Sequence, residues 1–204
     1  MQALRRSVLP LAIVFSLAYL ALAVHAFNQQ LFDLDHEAHA LVQSSQHPYL
    51  KVLMRALSDL ATGWVLVPVS VGLYVYLRHR GHHAVKLIPW MVVGAYVFFT
   101  LSKWIVARPR PRMSPYGFPS AHTFGAVVFF GGVIYLLWTI EMRPVWRWTG
   151  TVVLALLILG VAVSRLYLRA HWLSDVAGGL TGGAAYLLFF LRAAEPRLRA
   201  SRSA

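Results

Sequence analysis

Six runs of about twenty apolar residues, at 8–26, 60–77, 87–106, 124–140, 148–163 and 172–191, occupy more than half of this 204-residue chain. Each is close to the ~20 residues that an α-helix needs to cross a ~30 Å hydrocarbon core at ~1.5 Å per residue. No water reaches a backbone inside lipid, so each run has to satisfy its own N–H and C=O groups, which makes it helical. The expected fold is all-α, a single integral membrane domain over 1–204 built as a polytopic bundle of six transmembrane helices. Composition excludes a water-soluble fold as well: the chain is 58% hydrophobic and only 13% charged, against about a quarter charged in an ordinary soluble domain. Between the first two runs, 28–58 is mixed in polarity and reads as one or two short helices lying on the membrane surface.

Nineteen Lys and Arg face seven Asp and Glu, a formal net charge of +12. The basic residues sit between and beside the apolar runs, which points to the bilayer, anionic lipid heads or phosphate as partners, and not to nucleic acid. If six helices alternate, eleven of the nineteen (Arg5, Arg6, Arg78, Arg80, Lys86, Arg143, Arg147, Arg192, Arg197, Arg199 and Arg202) fall on one side. The positive-inside rule makes that side cytoplasmic, with both termini there. The other eight (Lys51, Arg55, Lys103, Arg108, Arg110, Arg112, Arg165 and Arg169) lie opposite, and six of them form two tight clusters that break the rule unless function retains them. Arg5-Arg6, the first apolar run and Val24-His25-Ala26 also have the layout of a secretory signal. The run exceeds the usual ~7–15 residues, so it is read as a retained helix. The basic tail, 197–204, is expected to fray. With no cysteine in the chain, chemistry has to come from His, Asp, Ser, Lys and Arg.

Three clusters carry such residues. In the first, Lys103 lies inside the third apolar run and Arg108-Pro109-Arg110-Pro111-Arg112 follows it. The prolines cannot continue a helix, so the chain leaves the membrane extended and presents its guanidinium groups at the interface. Snorkelling anchors are the alternative reading. In the second, Pro119-Ser120-Ala121-His122 directly precedes the fourth run. Ser120 suits an N-cap, where free amides and the helix dipole favour an anion, and His122 is placed to give a proton to a leaving oxygen. An ordinary cap with an interfacial histidine competes with that reading. The third cluster holds Ser164-Arg165 and then His171 and Asp175 at i and i+4. The carboxylate can fix the imidazole tautomer and leave the other nitrogen free to attack, while Arg165 supplies a planar fork for phosphate oxygens. A structural ion pair capping the sixth helix accounts for Asp175 alone.

An up-and-down bundle puts the third and fifth connections on the same side, so all three clusters meet at one rim. There Lys103, Arg110 and Arg165 neutralise a phosphoryl group with His122 and His171 on its opposite sides, the layout of an in-line displacement. Carboxylates are few and three fixed cations suffice, so neither a metal nor another cofactor is implied.

These residues resemble the type 2 phosphatidic acid phosphatase family, whose helical core is shared with the vanadium haloperoxidases. Its three signatures, K-x6-R-P, P-S-G-H and S-R-x5-H-x3-D, are matched in order by Lys103…Arg110-Pro111, Pro119-Ser120-Ala121-His122 and Ser164-Arg165…His171…Asp175. The resemblance implies that His171 is a nucleophile forming a phosphohistidine, Asp175 its orienting partner and His122 the acid for the leaving alkoxide. Lys103, Arg110, Arg165 and Ser120 would bind phosphate. Ala121 stands where the family usually has Gly, and its methyl group bears on how closely that amide approaches the phosphate. Arg108 mimics the first signature two residues early, at the wrong distance from Lys103, and is left out of the site. The implied activity is a metal-independent lipid phosphatase of the bacterial inner-membrane type, with its site on the extracytoplasmic face. Phosphatidylglycerol phosphate, phosphatidic acid, undecaprenyl pyrophosphate and a lipid A precursor are the substrates to consider. A lipid-to-lipid phosphotransferase would use the same site. A transporter or flippase would spread its charges across the membrane, and here they gather at one rim. Trp104, Tyr116, Phe118, Tyr167 and Trp172 read as an interfacial aromatic belt; oligomeric state is not legible.

Overall fold

The computed structural model describes residues 2–81, 88–112 and 114–200, with side chains described from 8 to 194. Lys86, 201–204 and the side chains of Arg5, Arg6, Arg197 and Arg199, all used above for orientation, lie outside these. Every regular element among the described residues is a helix: α1 (Gln2–Phe27), α2 (Asp33–Ser44), α3 (Pro48–Asp59), α4 (Gly63–His79), α5 (Ile88–Val106), α6 (Ala121–Thr139), α7 (Pro144–Tyr167) and α8 (Leu173–Ala200).

Five stretches are long and apolar enough to cross a membrane alone: Val8–Phe27, Ile88–Val106, Ala121–Thr139, Pro144–Tyr167 and Leu173–Ala194. The second apolar run differs from the expectation. It lies in α4, and α3 and α4 together form one further candidate span bent by 47° between Asp59 and Gly63. The mixed stretch thus contributes two helices, α2 and α3, of which α3 joins a candidate span. Helix α8 continues as far as Ala200, four residues into the tail expected to fray, and 201–204 lie outside the described residues.

Helices α6 and α8 form the centre, flanked by α1, α5 and α7. Their exposed faces carry Val, Leu, Ile and Trp, as lipid requires, and the buried faces interlock. Phe124, fully buried, anchors one cluster with Met91, Ala95, Val128 and Leu187. Tyr19, Ala26, Val106 and Phe118 form another that ties α1 to the rim. The approach of α8 to α6 depends on Gly179: a Cβ there would lie 2.8 Å from both the Ser120 carbonyl oxygen and Thr123 Cβ. Small residues at such crossings let backbones touch, the usual route to tight packing where lipid supplies no hydrophobic drive.

Candidate active site

One end of the bundle gathers the C-termini of α5 and α7, the N-termini of α6 and α8, and α2. His171 lies in the short connection between α7 and α8 and is almost fully buried, as is Asp175 in the first turn of α8. The His171 Nδ1 stands 3.4 Å from Asp175 Oδ2, an ion-pair distance without the alignment of a directed hydrogen bond. Asp175 Oδ2 also accepts from the Trp172 backbone N–H at 3.1 Å. Asp175 therefore faces the histidine and also caps the helix. Burial pushes the His171 imidazole down to about 4, against the opposing pull of Asp175. The ring is neutral at pH 7, with Nδ1 turned to the carboxylate and Nε2 left for chemistry.

The three expected cations converge. Lys103 Nζ donates to the Tyr116 carbonyl oxygen at 2.6 Å, and Arg110 Nη2 approaches the same oxygen at 3.4 Å. Ala107 and Tyr116 hold positive φ values of 47° and 64°, uncommon for residues with a side chain, and these bends fold the connection back over the end of α5. Arg165 Nη1 donates to Ser58 Oγ on α3. The Nε atoms of Arg110 and Arg165 are buried without a hydrogen-bond partner. Burial lowers the Arg110 pKa, with Asp175 opposing. Lys103 and Arg165 both act electrostatically on His171, and His122 senses Arg165, His171, Arg110 and Lys103 together. The two imidazoles and three cations, up to 68 positions apart in sequence (Lys103 to His171), thus lie close enough at one end of the bundle to act on one another electrostatically.

Ser120 sits at the N-cap of α6, as expected, but its hydroxyl makes no capping bond. It accepts from Thr123 Oγ1 at 3.1 Å, which leaves its own proton free to donate. The Ser120 N–H is taken by the Asp175 carbonyl oxygen at 3.0 Å, locking the N-terminus of α6 to that of α8. Ala121 and His122 follow in the first turn of α6, both half-buried. Gly117 leaves no room for a side chain: a Cβ would lie 3.0 Å from Asp175 Oδ2 and from the Arg108 carbonyl oxygen.

Two sequence readings need correction. Phe118 and Tyr167 are buried, so they are not belt aromatics; the Tyr167 hydroxyl accepts from the His47 N–H at 2.7 Å and holds the α2–α3 connection. Arg108, set aside as lying outside the site, is 2% exposed and sits directly behind it. Its Nη1 donates to Ser174 Oγ at 2.7 Å and to Asp175 Oδ1 at 3.2 Å. Sequence reasoning missed Arg108 and its partner Asp35; the only signal was Arg108's presence in a rim cluster that the charge rule disfavours. Among the described residues no three His, Asp or Glu side chains are gathered as a metal site.

Residues 84–199, more than half the chain, match the family model of the PAP2 superfamily. The chain belongs to that superfamily. Among curated proteins, this PAP2 chain is 29% identical over 165 residues to an undecaprenyl-diphosphatase of Sulfolobus acidocaldarius, covering 75% of this chain and 71% of the relative. It is 24% identical over 193 residues to phosphatidylglycerophosphatase B of Bacillus subtilis, covering 89% and 92%. The fold is similar to the crystal structure of a transmembrane PAP2-type phosphatidylglycerolphosphate phosphatase from Bacillus subtilis, with TM-score 0.81 and 19% identity over 91% of this chain and 96% of that one. It is also similar to Aquifex aeolicus LpxE, with TM-score 0.64 and 22% identity over 79% and 96%.

Proposed function

We propose that this protein is a membrane phosphatase acting on a lipid phosphate or polyprenyl pyrophosphate, with His171 as nucleophile. The observation that carries the reading is the neutral, buried His171 braced on Nδ1 by Asp175, beside guanidinium Nε donors that have no acceptor. Such donors incur a desolvation cost unless an anion meets them, and a phosphoryl group has three oxygens to offer.

In the first step His171 Nε2 attacks phosphorus, the bond to the leaving oxygen breaks, and His122 gives that oxygen a proton. Asp175 stabilises the imidazolium character that develops on His171. Lys103, Arg110 and Arg165, with the Ser120 hydroxyl, hold the phosphoryl oxygens as charge shifts among them. In the second step water attacks the same phosphorus, the P–N bond breaks, and His122 takes the proton of the water. Inorganic phosphate and neutral His171 result. Ala121 opens α6 between Ser120 and His122, and on this reading its methyl group bears on how near the phosphate comes to that amide. The relatives named for undecaprenyl diphosphate and phosphatidylglycerophosphate support a lipid substrate. The charge asymmetry supports an inner-membrane protein with both termini in the cytoplasm and the site on the extracytoplasmic face.

The deciding experiment is a phosphate-release screen of the purified chain over glycerophospholipid phosphates and polyprenyl pyrophosphates, with and without acceptor lipids. Release into water that survives EDTA and is blocked by vanadate, a mimic of the transferring phosphoryl, is the expected result. Transfer to an acceptor lipid in place of release would make the chain a phosphotransferase, and neither activity on any substrate would overturn the proposal.

A further inference from the structure

Behind the nucleophile lies a buried set of charges that the reaction above does not use. Asp35, on α2 and 1% exposed, accepts from the Ser174 N–H on Oδ1 at 2.7 Å. Its Oδ2 accepts from Ser174 Oγ at 2.8 Å and lies 3.6 Å from Arg108 Nη2. Arg108 joins this carboxylate to the other, because its Nη1 reaches Asp175 Oδ1 while Nη2 also donates to the Gln30 carbonyl oxygen. The chain Asp35–Arg108–Asp175–His171 is continuous, nearly dry, and draws on four segments: α2, the α5–α6 connection, α8 and the α7–α8 connection. Asp35 and His171 also line one small cavity, together with His39 and Trp172.

A charge count shows what this arrangement does. Asp35 and Asp175 bring two negative charges and Arg108 one positive, so the set is one negative charge in excess until His171 becomes cationic. Without Asp35, Arg108 would cancel Asp175 and leave the imidazolium no net counter-charge behind it. Without Arg108, two carboxylates would crowd one histidine and draw a proton onto it before substrate arrives. A buried ion pair is weak evidence of stability in its own right, which makes a tuning role the better account of why two opposed charges sit here.

We infer that Asp35 and Arg108 are positioning residues that set both the placement and the proton affinity of the Asp175–His171 dyad. Neither is placed against the phosphoryl group: Arg108 acts through Asp175, and Asp35 acts through Arg108 and across the cavity it shares with His171. The inference rests on the phosphatase reading above. The groups that face His171 are Asp175 on α8, Asp35 and His39 on α2, Lys103 on α5, His122 on α6 and Arg165 on α7. Arg108 stands behind Asp175 and joins it to Asp35, the carboxylate that shares a small cavity with His171.

The test is the acid limb of kcat/KM in the full-length protein, taken as a ratio to wild type so that the ionisation of the substrate cancels. Asp35→Asn removes an anion and should move the limb to lower pH; Arg108→Gln removes a cation and should move it to higher pH, each by about one unit. The double variant should return toward wild type. Unmoved limbs, or shifts in the same direction, would overturn the inference, since a purely structural role predicts loss of rate without opposed titration. If Arg108→Gln does not fold, Asp35→Asn alone decides: a downward shift supports the brace and any other result sinks it. An inactive wild type would instead refute the phosphatase reading. The same opposed shifts would then be sought in the pH at which the thermal midpoint breaks, a readout that needs no substrate.

Discussion

Two groups of arginines share one rim and are treated in opposite ways. Behind His171, Arg108 is saturated: two carboxylates, a hydroxyl and a carbonyl answer its guanidinium. In front, half-buried Arg110 and buried Arg165 each have a buried Nε without a hydrogen-bond partner, and Lys103 and Arg110 share a single carbonyl oxygen. The same residue type therefore does two jobs, separated by what surrounds it. A cation whose bonds are complete within the protein holds shape. One whose bonds are incomplete carries a standing cost to the fold, which under the proposed function an anion from outside relieves.

The largest expected effect lies between the two groups. His171→Ala should reduce phosphate release by about 10⁴-fold or more, because the residues of such a unit act together, while the thermal midpoint stays near wild type. Residual turnover close to wild type would mean that another group attacks phosphorus. The comparison itself is broken or kept by the arginines. Arg110→Ala should cost about 10²–10³-fold in kcat, the scale of one lost charge-stabilising donor, with the thermal midpoint unchanged or raised. Arg108→Ala should lower that midpoint as well, because stranding the carboxylates of a buried pair costs about 3–5 kcal/mol. Equal stability losses for the two variants would erase the distinction between front and back.

His122→Ala sharpens the front further. Substrates with poor leaving groups should slow by about 10²-fold more than those with good ones, since only the former need a proton; equal slowing would remove His122 as the acid. The smallest effect is one of pH. Burial holds the folded His171 at about 4 against an unperturbed 6.5. Between those values the unfolded chain binds a proton that the folded chain does not, so stability falls as pH drops from 6.5 toward 4. His171→Gln should flatten that slope in thermal scans, and an unchanged slope would show that the imidazole is not desolvated.

Much of this arrangement was legible in the chain. Lipid imposes helices on long apolar runs whatever their detailed sequence, so α1, α5, α6, α7 and α8 could be read from length and hydropathy alone. Lys103, Arg110, Ser120, His122, Arg165, His171 and Asp175 stood out because each is polar beside an apolar run, and because alternation of the helices puts their clusters on one side. The 47° bend between α3 and α4 was not legible, since Thr62 and Gly63, the cap and first residue of α4, lie inside an apolar run that was counted as unbroken from Leu60 to Leu77. Nor was the partnership of Asp35 with Ser174, 139 positions away. A carboxylate in a short polar helix looks solvated until the tertiary fold covers it. Arg108 failed for a related reason: a motif measures distance along the chain, whereas its partners are supplied by α2 and α8.

Gly179 does more than close one crossing. Because it lets main chain rest on main chain where α8 crosses α6, the span between His122 and His171 is gauged by two backbones and not by adaptable side chains. A methyl group added there would act as a shim: it would be felt one and two turns away as a wider gap between attacking nitrogen and departing oxygen, in a reaction whose rate is steeply sensitive to that gap.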